Sequence, residues 1–258
     1  MNRKLDITLP AGWHDITDGM LLYWLRQLAA HQTAFAARTV CALKWAGLTL
    51  VGRYYKEEAI FCRGPLTRKT RDYYQLTNDD VATITRALDW MDTLPETPMR
   101  PEGIAGRAPL QAALHEVPFG TYLAVESGYQ AFLATKDYKW LDTAADILYP
   151  PAPKEKRLSD DDRQLLRITT LWWWQSLKRF LAGQFENLFI PVAESDDGFS
   201  PRDPAREFRD SVNAQLRALT KGDITRENEI QQTDVWRALT ELDAQARESK
   251  ELKTIAKT

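Results

Sequence analysis

Apolar residues in this chain recur mostly at intervals of three and four positions, which is the period of an α-helix. Leu21, Trp24, Leu25 and Leu28 form the first such stripe, with Thr17 among the residues that could cap its start. The same spacing predicts further helices over about 33–46, 77–91, 119–134, 139–148, 204–219 and 227–250, and one that begins at about 159 and includes Leu165, Ile168 and Trp172. The pattern therefore predicts a mainly α protein with a helical bundle-like architecture.

Two acidic runs stand at predicted helix starts. Thr77 precedes Asn78-Asp79-Asp80, and Ser159 precedes Asp160-Asp161-Asp162. A hydroxyl side chain followed by carboxylates satisfies free backbone N–H groups and complements the helix dipole. We interpret both runs as helix caps and not as metal ligands.

One segment has a β pattern instead. Residues 48–55 and 59–62 are short β-prone runs on either side of a charged turn, Lys56-Glu57-Glu58. They predict one small β-hairpin at about residues 48–62.

Prolines divide the chain. Pro95, Pro98, Pro101 and Pro109 fall in one window that also holds glycines. This window favours an N-terminal helical subdomain with the hairpin over 1–94, a Pro/Gly-rich connection over 95–110, and a C-terminal helical subdomain over 111–258.

Composition and charge exclude several classes of protein. The 258 residues carry a formal net charge of −2, so no overall basic field favours nucleic acid as a partner. A basic stretch beside Tyr73 and Tyr74 (Arg63, Arg68, Lys69 and Arg71) is interpreted as a solvated loop. No segment has the continuous apolar run of a secretory signal or a membrane span, and the two cysteines, Cys41 and Cys62, suit a reducing compartment. The sequence predicts a cytoplasmic location without a membrane partner.

The residues that usually carry catalysis form no known constellation. His14, His31 and His115 are far apart and make no metal-binding spacing, and glycine-rich phosphate loops are missing from the sequence. We therefore expect no catalytic, metal or cofactor site, and an enzyme of unrecognised class is kept only as an alternative. Glu126 is an anomaly, because it falls within an aromatic stripe where a buried carboxylate needs a partner such as a Tyr hydroxyl or Arg107.

Trp172-Trp173-Trp174 is the sharpest aromatic feature. Consecutive helical residues are about 100° apart, so three adjacent indoles cover roughly 200° of the helix surface. One interpretation is a central helix that packs on two sides within the monomer. The other is a partner-binding face, since interfaces are enriched in Trp.

The C-terminal region carries a resemblance to a known family. Residues 218–230, ALTKGDITRENEI, followed by 234–242, DVWRALTEL, resemble phage tail assembly chaperones and related tail-region proteins. In these proteins a helix ends in an ALT-G-D-T turn and is followed by an acidic and then apolar helix. Residues 9–16, LPAGWHDI, and 119–126, FGTYLAVE, resemble uncharacterised proteins of phage and prophage tail clusters.

The resemblance implies a non-catalytic cytoplasmic assembly factor that binds an elongated helical client such as the tape measure protein. A structural tail or virion component is the alternative, and a small homo-oligomer is left open. The segment after Gly222 is expected to be a separable element with an apolar stripe that docks on the body or the client. Candidate partner-binding residues are Trp172, Trp173, Trp174, Trp236, Leu239 and Leu242.

Overall fold

A computed structural model describes residues 5–53, 58–63, 72–153, 157–189 and 204–255. The chain forms two compact units, Met1–Pro95 and Glu96–Thr258. The predicted connection over 95–110 belongs, from residue 96 onward, to the second unit, where Ile104 and Arg107 are buried.

The first unit combines helices with one sheet. Short 3₁₀ turns lie at Trp13–Asp15 and Asp89–Asp92. Its regular elements in chain order are α1 (Asp18–Ala30), α2 (Ala34–Trp45), β1 (Leu48–Arg53), β2 (Glu58–Arg63), β3 (Asp72–Thr77) and α3 (Asn78–Arg86).

The regular elements of the second unit are all helices within its described residues, apart from two isolated bridges. A 3₁₀ turn at Ile224–Arg226 separates two of its helices. Its helices are α4 (Phe119–Thr135), α5 (Tyr138–Leu148), α6 (Asp160–Gln184), α7 (Pro204–Thr220), α8 (Glu227–Gln232) and α9 (Val235–Ile255). The structure confirms the mainly α fold class with a small β element.

The predicted caps are present. Thr77 and Asp80 form a capping box at the start of α3, in which each side chain bonds the other residue's backbone N–H. Ser159 accepts a hydrogen bond from the Asp162 N–H at the start of α6. Short polar side chains thus determine where these helices begin.

The hairpin prediction is incomplete, because the sheet has a third strand. β2 pairs antiparallel with both β1 and β3, and Phe61 lies between Leu50 and Tyr74 in the register. Leu48, Phe61 and Leu76 are buried on one sheet face. Tyr73 and Tyr74, beside the predicted solvated loop, lie in β3, and Arg63 of that loop lies in β2. Glu58 of the predicted turn is the first residue of β2, whereas the rest of the turn (Lys56 and Glu57) and of the loop (Arg68, Lys69 and Arg71) lies outside the described residues. β3 was missed because it is short, begins with Asp72 and follows a basic run.

The prediction of one helix over 227–250 is wrong. α8 ends at Gln232 and α9 begins at Val235. Asp234 causes the break, because its carboxylate accepts the N–H of Arg237 at 3.1 Å, as an N-cap does, and that of Glu116 at 2.7 Å. The Thr233 carbonyl in turn accepts the Phe119 N–H at 2.7 Å.

The core of the second unit surrounds α6. Trp173, Trp174, Leu177 and Leu181 have no exposed surface. α4 and α5 approach closely at Gly128, where an added Cβ would lie 2.9 Å from the Trp140 carbonyl oxygen. None of the described helices combines the length and the apolar run that a membrane crossing requires.

Candidate functional site

The Trp172-Trp173-Trp174 cluster lies inside the second unit. Trp172 is 8% exposed and its two neighbours are fully buried. The Trp173 ring meets Tyr149 edge to face, and the Trp174 ring lies 5.6 Å from Tyr122. In this conformation α6 is a central helix that packs on several sides, and a partner could reach its indoles only after rearrangement.

The buried carboxylate of Glu126 has three hydrogen-bond donors. Trp174 Nε1 lies 2.5 Å from Oε2, while Lys178 Nζ at 2.5 Å and Gln130 Nε2 at 2.7 Å approach Oε1. Two neutral donors and one ammonium group together stabilise the negative charge of the carboxylate, which would otherwise be costly to bury. Burial and the nearby negative charge of Glu126 raise the pKa of the Tyr122 hydroxyl.

Arg107 is not the partner of Glu126 that the sequence suggested. Its Nη1 atom contacts the Asp146 carboxylate at 2.6 Å and the Tyr149 carbonyl at 3.2 Å. Glu126 is instead held by α6, which begins more than thirty residues later in the chain and whose contact with α4 no local pattern indicates. We interpret the Glu126 network as a structural polar link between α4 and α6.

Two tryptophan indoles hold a strained loop at residues 110–118. Leu114 and Glu116 have positive φ values of 59° and 61°, which side chains larger than glycine rarely adopt. Trp173 Nε1 donates to the Ala112 carbonyl at 2.8 Å, and Trp236 Nε1 donates to the Ala113 carbonyl at 2.8 Å. The two indoles thus have two roles: their rings pack in the second unit, and their N–H groups donate hydrogen bonds to backbone carbonyls of the loop.

The other predicted partner-binding residues lie on α9. Leu239 is fully buried, Leu242 is 4% exposed and Trp236 is half-buried. His115 stacks on Trp236 at 4.4 Å between ring centroids, and Phe185 lies 5.4 Å from it. The α9 stripe therefore packs on the body of the second unit, and a partner-binding role for these residues stays a prediction.

A surface feature that the sequence analysis did not identify lies where α4 meets α5. We call it the aromatic corner and define it by Phe132, Lys136, Tyr138 and Arg167. Tyr138 is 54% exposed, and its ring lies 5.5 Å from the half-buried Phe132 ring. In the sequence, Tyr138 is an aromatic residue beside a helix end, and spacing alone does not distinguish such an exposed residue from a core residue.

Local backbone structure builds this corner. α4 ends at Thr135, and Lys136 takes the left-handed conformation with φ of 57°. Asp137 then caps α5 by accepting the Lys139 N–H at 3.0 Å, and this hydrogen bond is the main cause of the lowered pKa of the Asp137 carboxyl. The tight turn leaves little chain to cover the Tyr138 ring.

Cations of the chain lie over the rings of the corner. Lys136 Nζ is 5.9 Å from the centre of Phe132, and Arg167 Cζ is 4.7 Å from the centre of Tyr138. Arg167 also makes two hydrogen bonds of 2.6 Å to Asp142, which raise the pKa of the guanidinium. The corner therefore offers an exposed aromatic surface, of the kind enriched at protein interfaces, beside one cation that is unpaired among the described residues, Lys136, since Asp142 balances the charge of Arg167.

Elsewhere, the candidate chemistry stays dispersed. Within the described ranges no group of three or more His, Cys, Asp and Glu side chains could hold a metal ion. Cys41 and Cys62 are buried free thiols, and burial raises the pKa of Cys41 to about 12. His31 contacts Gln27 and His14 contacts Asp15, so each interacts within its own segment.

Comparisons with protein-family models, with curated proteins and with solved structures gave no match.

Proposed function

We propose that this chain is a non-catalytic assembly factor that acts in the cytoplasm, that of the host if a phage encodes it, and binds an elongated helical client such as a phage tape measure protein. The observation that carries the proposal is the aromatic corner, where the Tyr138 ring is 54% exposed beside a lysine and an arginine. Aromatic and arginine side chains supply much of the binding energy at protein interfaces. The family resemblance at residues 218–242 supports the same class of function.

The chemistry of the corner suits one face of a client helix. The Tyr138 and Phe132 rings provide apolar contact area, and Leu133 nearby is 39% exposed. Lys136, which forms no ion pair among the described residues, would meet a client carboxylate. An amphipathic helix with apolar residues one turn apart and acidic residues beside them would satisfy both contacts.

Co-expression with a tape measure protein, sought among the genes that neighbour the gene for this chain, tests the proposal. We expect a complex that survives affinity purification and size exclusion, and we expect Tyr138→Ala with Lys136→Glu to weaken it by about tenfold or more. Tyr73→Ala is the matched control, because Tyr73 is a similarly exposed tyrosine of β3 in the first unit. Equal loss of binding in the control, or no complex with the unaltered chain, would contradict the proposal.

Purified particles distinguish a chaperone from a structural component. A chaperone leaves before the tail matures, so we expect this chain to be absent from purified virions by quantitative mass spectrometry. Its recovery in fixed stoichiometry with other tail proteins would favour the structural alternative.

A further inference from the structure

An exposed turn that follows α7 carries a large apolar side chain. Lys221 and Gly222, with φ of 53° and 83°, end the helix, and the Gly222 N–H bonds the Arg217 carbonyl at 3.0 Å. Every residue from 221 to 229 is exposed. Ile224 in this turn is 81% exposed, the largest exposed fraction among the large apolar residues of the described chain.

A cavity lies directly beside Ile224. Its volume is about 370 Å³ and it opens to solvent between α7, the 3₁₀ turn and the start of α8. Leu216 supplies an aliphatic wall and Gly222 leaves room at one side. Ile224 therefore projects next to a recess that could hold an aliphatic side chain of the same kind.

The wall of the cavity also carries opposite charges. Arg217 and Glu227 both line it and are both exposed. Neither forms an ion pair among the described residues; the Glu227 carboxylate accepts only a hydrogen bond from Gln231, at 3.1 Å. A facing surface with the same two charges in reverse order would pair both of them.

We propose that this surface joins two copies of the chain about a two-fold axis. A two-fold interface uses the same patch on both copies, so a projecting group and its recess must lie together on one surface. Here Ile224 of each copy would enter the cavity of the other. Arg217 of each copy would then lie near Glu227 of the partner. The dimer does not depend on the client or on the aromatic corner.

Sedimentation velocity of the full chain over a wide range of protein concentration tests the dimer. We expect reversible dimerisation, and Ile224→Asp should raise the dissociation constant by about tenfold or more. Ile224 is exposed, so this variant should keep the circular dichroism spectrum and melting temperature of the parent chain. Leu252→Asp is the matched control, since Leu252 is 67% exposed on α9 and does not line the cavity, and it should leave the dissociation constant unchanged.

Charge reversal identifies the pairing. Arg217→Glu and Glu227→Arg should each weaken the dimer, because like charges would then face each other across the axis. The double variant should restore the dissociation constant to within a few-fold of the parent. A chain that is monomeric at every concentration would overturn the proposal, as would a dimer that Ile224→Asp leaves intact. Additive losses in the double variant would overturn the pairing of Arg217 with Glu227.

Discussion

At the scale of single residues, buried polar atoms in this protein differ in whether they have a partner. Thr169 and Thr170 of α6 are fully buried, and neither hydroxyl has a hydrogen-bond partner within the described part of the chain. Thr85 of α3 is equally buried, but its hydroxyl bonds the Val81 carbonyl at 2.8 Å and the Thr39 hydroxyl at 3.2 Å. The same side chain thus has opposite energetic consequences at the two places, since an unsatisfied buried polar group costs about 1–3 kcal/mol.

Replacing these threonines with valine tests that difference. Thr169→Val and Thr170→Val keep the shape of the side chain and remove the unsatisfied hydroxyl, so each should leave the free energy of unfolding unchanged or raise it by about 1 kcal/mol. Thr85→Val, the matched control, should lower it by about 1 kcal/mol because two hydrogen bonds are lost. Urea unfolding followed by circular dichroism measures all three. A lower free energy of unfolding in both Thr169→Val and Thr170→Val would show that those hydroxyls have partners.

The Asp243 carboxylate stabilises the folded chain by an amount that depends on pH. Burial acts to raise the pKa of its carboxyl, but hydrogen bonds from the Asn187 side chain and from the Leu188 and Asn187 N–H groups outweigh burial and lower it. A lowered folded-state pKa means that the stabilisation is complete above the unfolded value of about 3.9 and is lost as the pH falls through the folded value. The carboxylate links α9 to the chain after α6.

Melting temperatures measured as a function of pH check this link. The parent chain should be more stable than Asp243→Asn near neutral pH, and the difference should shrink below about pH 4. Asp161→Asn is a suitable control because Asp161 is an exposed residue of the first turn of α6. If the difference in melting temperature between the parent chain and Asp243→Asn stayed constant down to about pH 2, the charge of Asp243 would not contribute to stability.

At the scale of helices and strands, the sequence predicts features that depend on residues close together in the chain and misses features that depend on residues far apart in it. Thr77 and Ser159 identify helix starts correctly, because a cap bonds an N–H only three residues away. The break between α8 and α9 was missed although the Asp234 carboxylate also accepts the Arg237 N–H three residues later, because its second partner, the Glu116 N–H, lies 118 positions away. Local propensity carries no information about such a partner.

The candidate sites show the same limit. The unusual Trp172-Trp173-Trp174 run is visible in the sequence, but whether it binds a partner or fills the core depends on α4, α5 and the 110–118 loop, which contact it from elsewhere in the chain. The need of Glu126 for a partner was predictable, whereas the identity of Trp174 and Lys178 as donors was not. Tyr138 directly precedes the predicted helix over 139–148 and was not identified as a candidate, and only the fold reveals its exposure.

The crossing of α4 and α5 depends on one glycine. A Cβ at Gly128 would lie 2.9 Å from the Trp140 carbonyl oxygen and 3.3 Å from Ala144 Cβ, and backbone atoms cannot move aside cheaply. Gly128→Ala should therefore lower the free energy of unfolding by about 1–3 kcal/mol, as overpacking does.

Gly183→Ala is the matched control for that change. Gly183 is an exposed residue of α6 with no neighbouring atom within 4 Å of an added Cβ, so alanine there should stabilise by about 0.5–1 kcal/mol. Chemical denaturation of both variants measures the contrast. Stabilisation by alanine at both positions would mean that α4 and α5 are farther apart than described.

At the scale of the whole molecule, the two ends of α9 differ in whether they can be removed. The sequence favoured a separable element after Gly222, but the structure places its apolar stripe in the core of the second unit. Val235 and Leu239 are fully buried, and the Val235 N–H bonds the Val117 carbonyl at 2.9 Å. By contrast, each residue from 247 to 255 is exposed.

Truncation separates these two parts of α9. A chain that ends at Ala246 should melt within a few degrees of the full chain, because it loses only exposed helical turns. A chain that ends at Gly222 should lose cooperative melting of the second unit. Each buried aliphatic side chain contributes about 1.5–3 kcal/mol, and the loss of Val235, Leu239 and Leu242 together approaches the total stability of a typical domain, about 5–15 kcal/mol. Thermal melting of the fragments 96–222 and 96–246, followed by circular dichroism, makes this comparison without the first unit. Cooperative melting of 96–222 would contradict this account and restore the segment after Gly222 as a separable element.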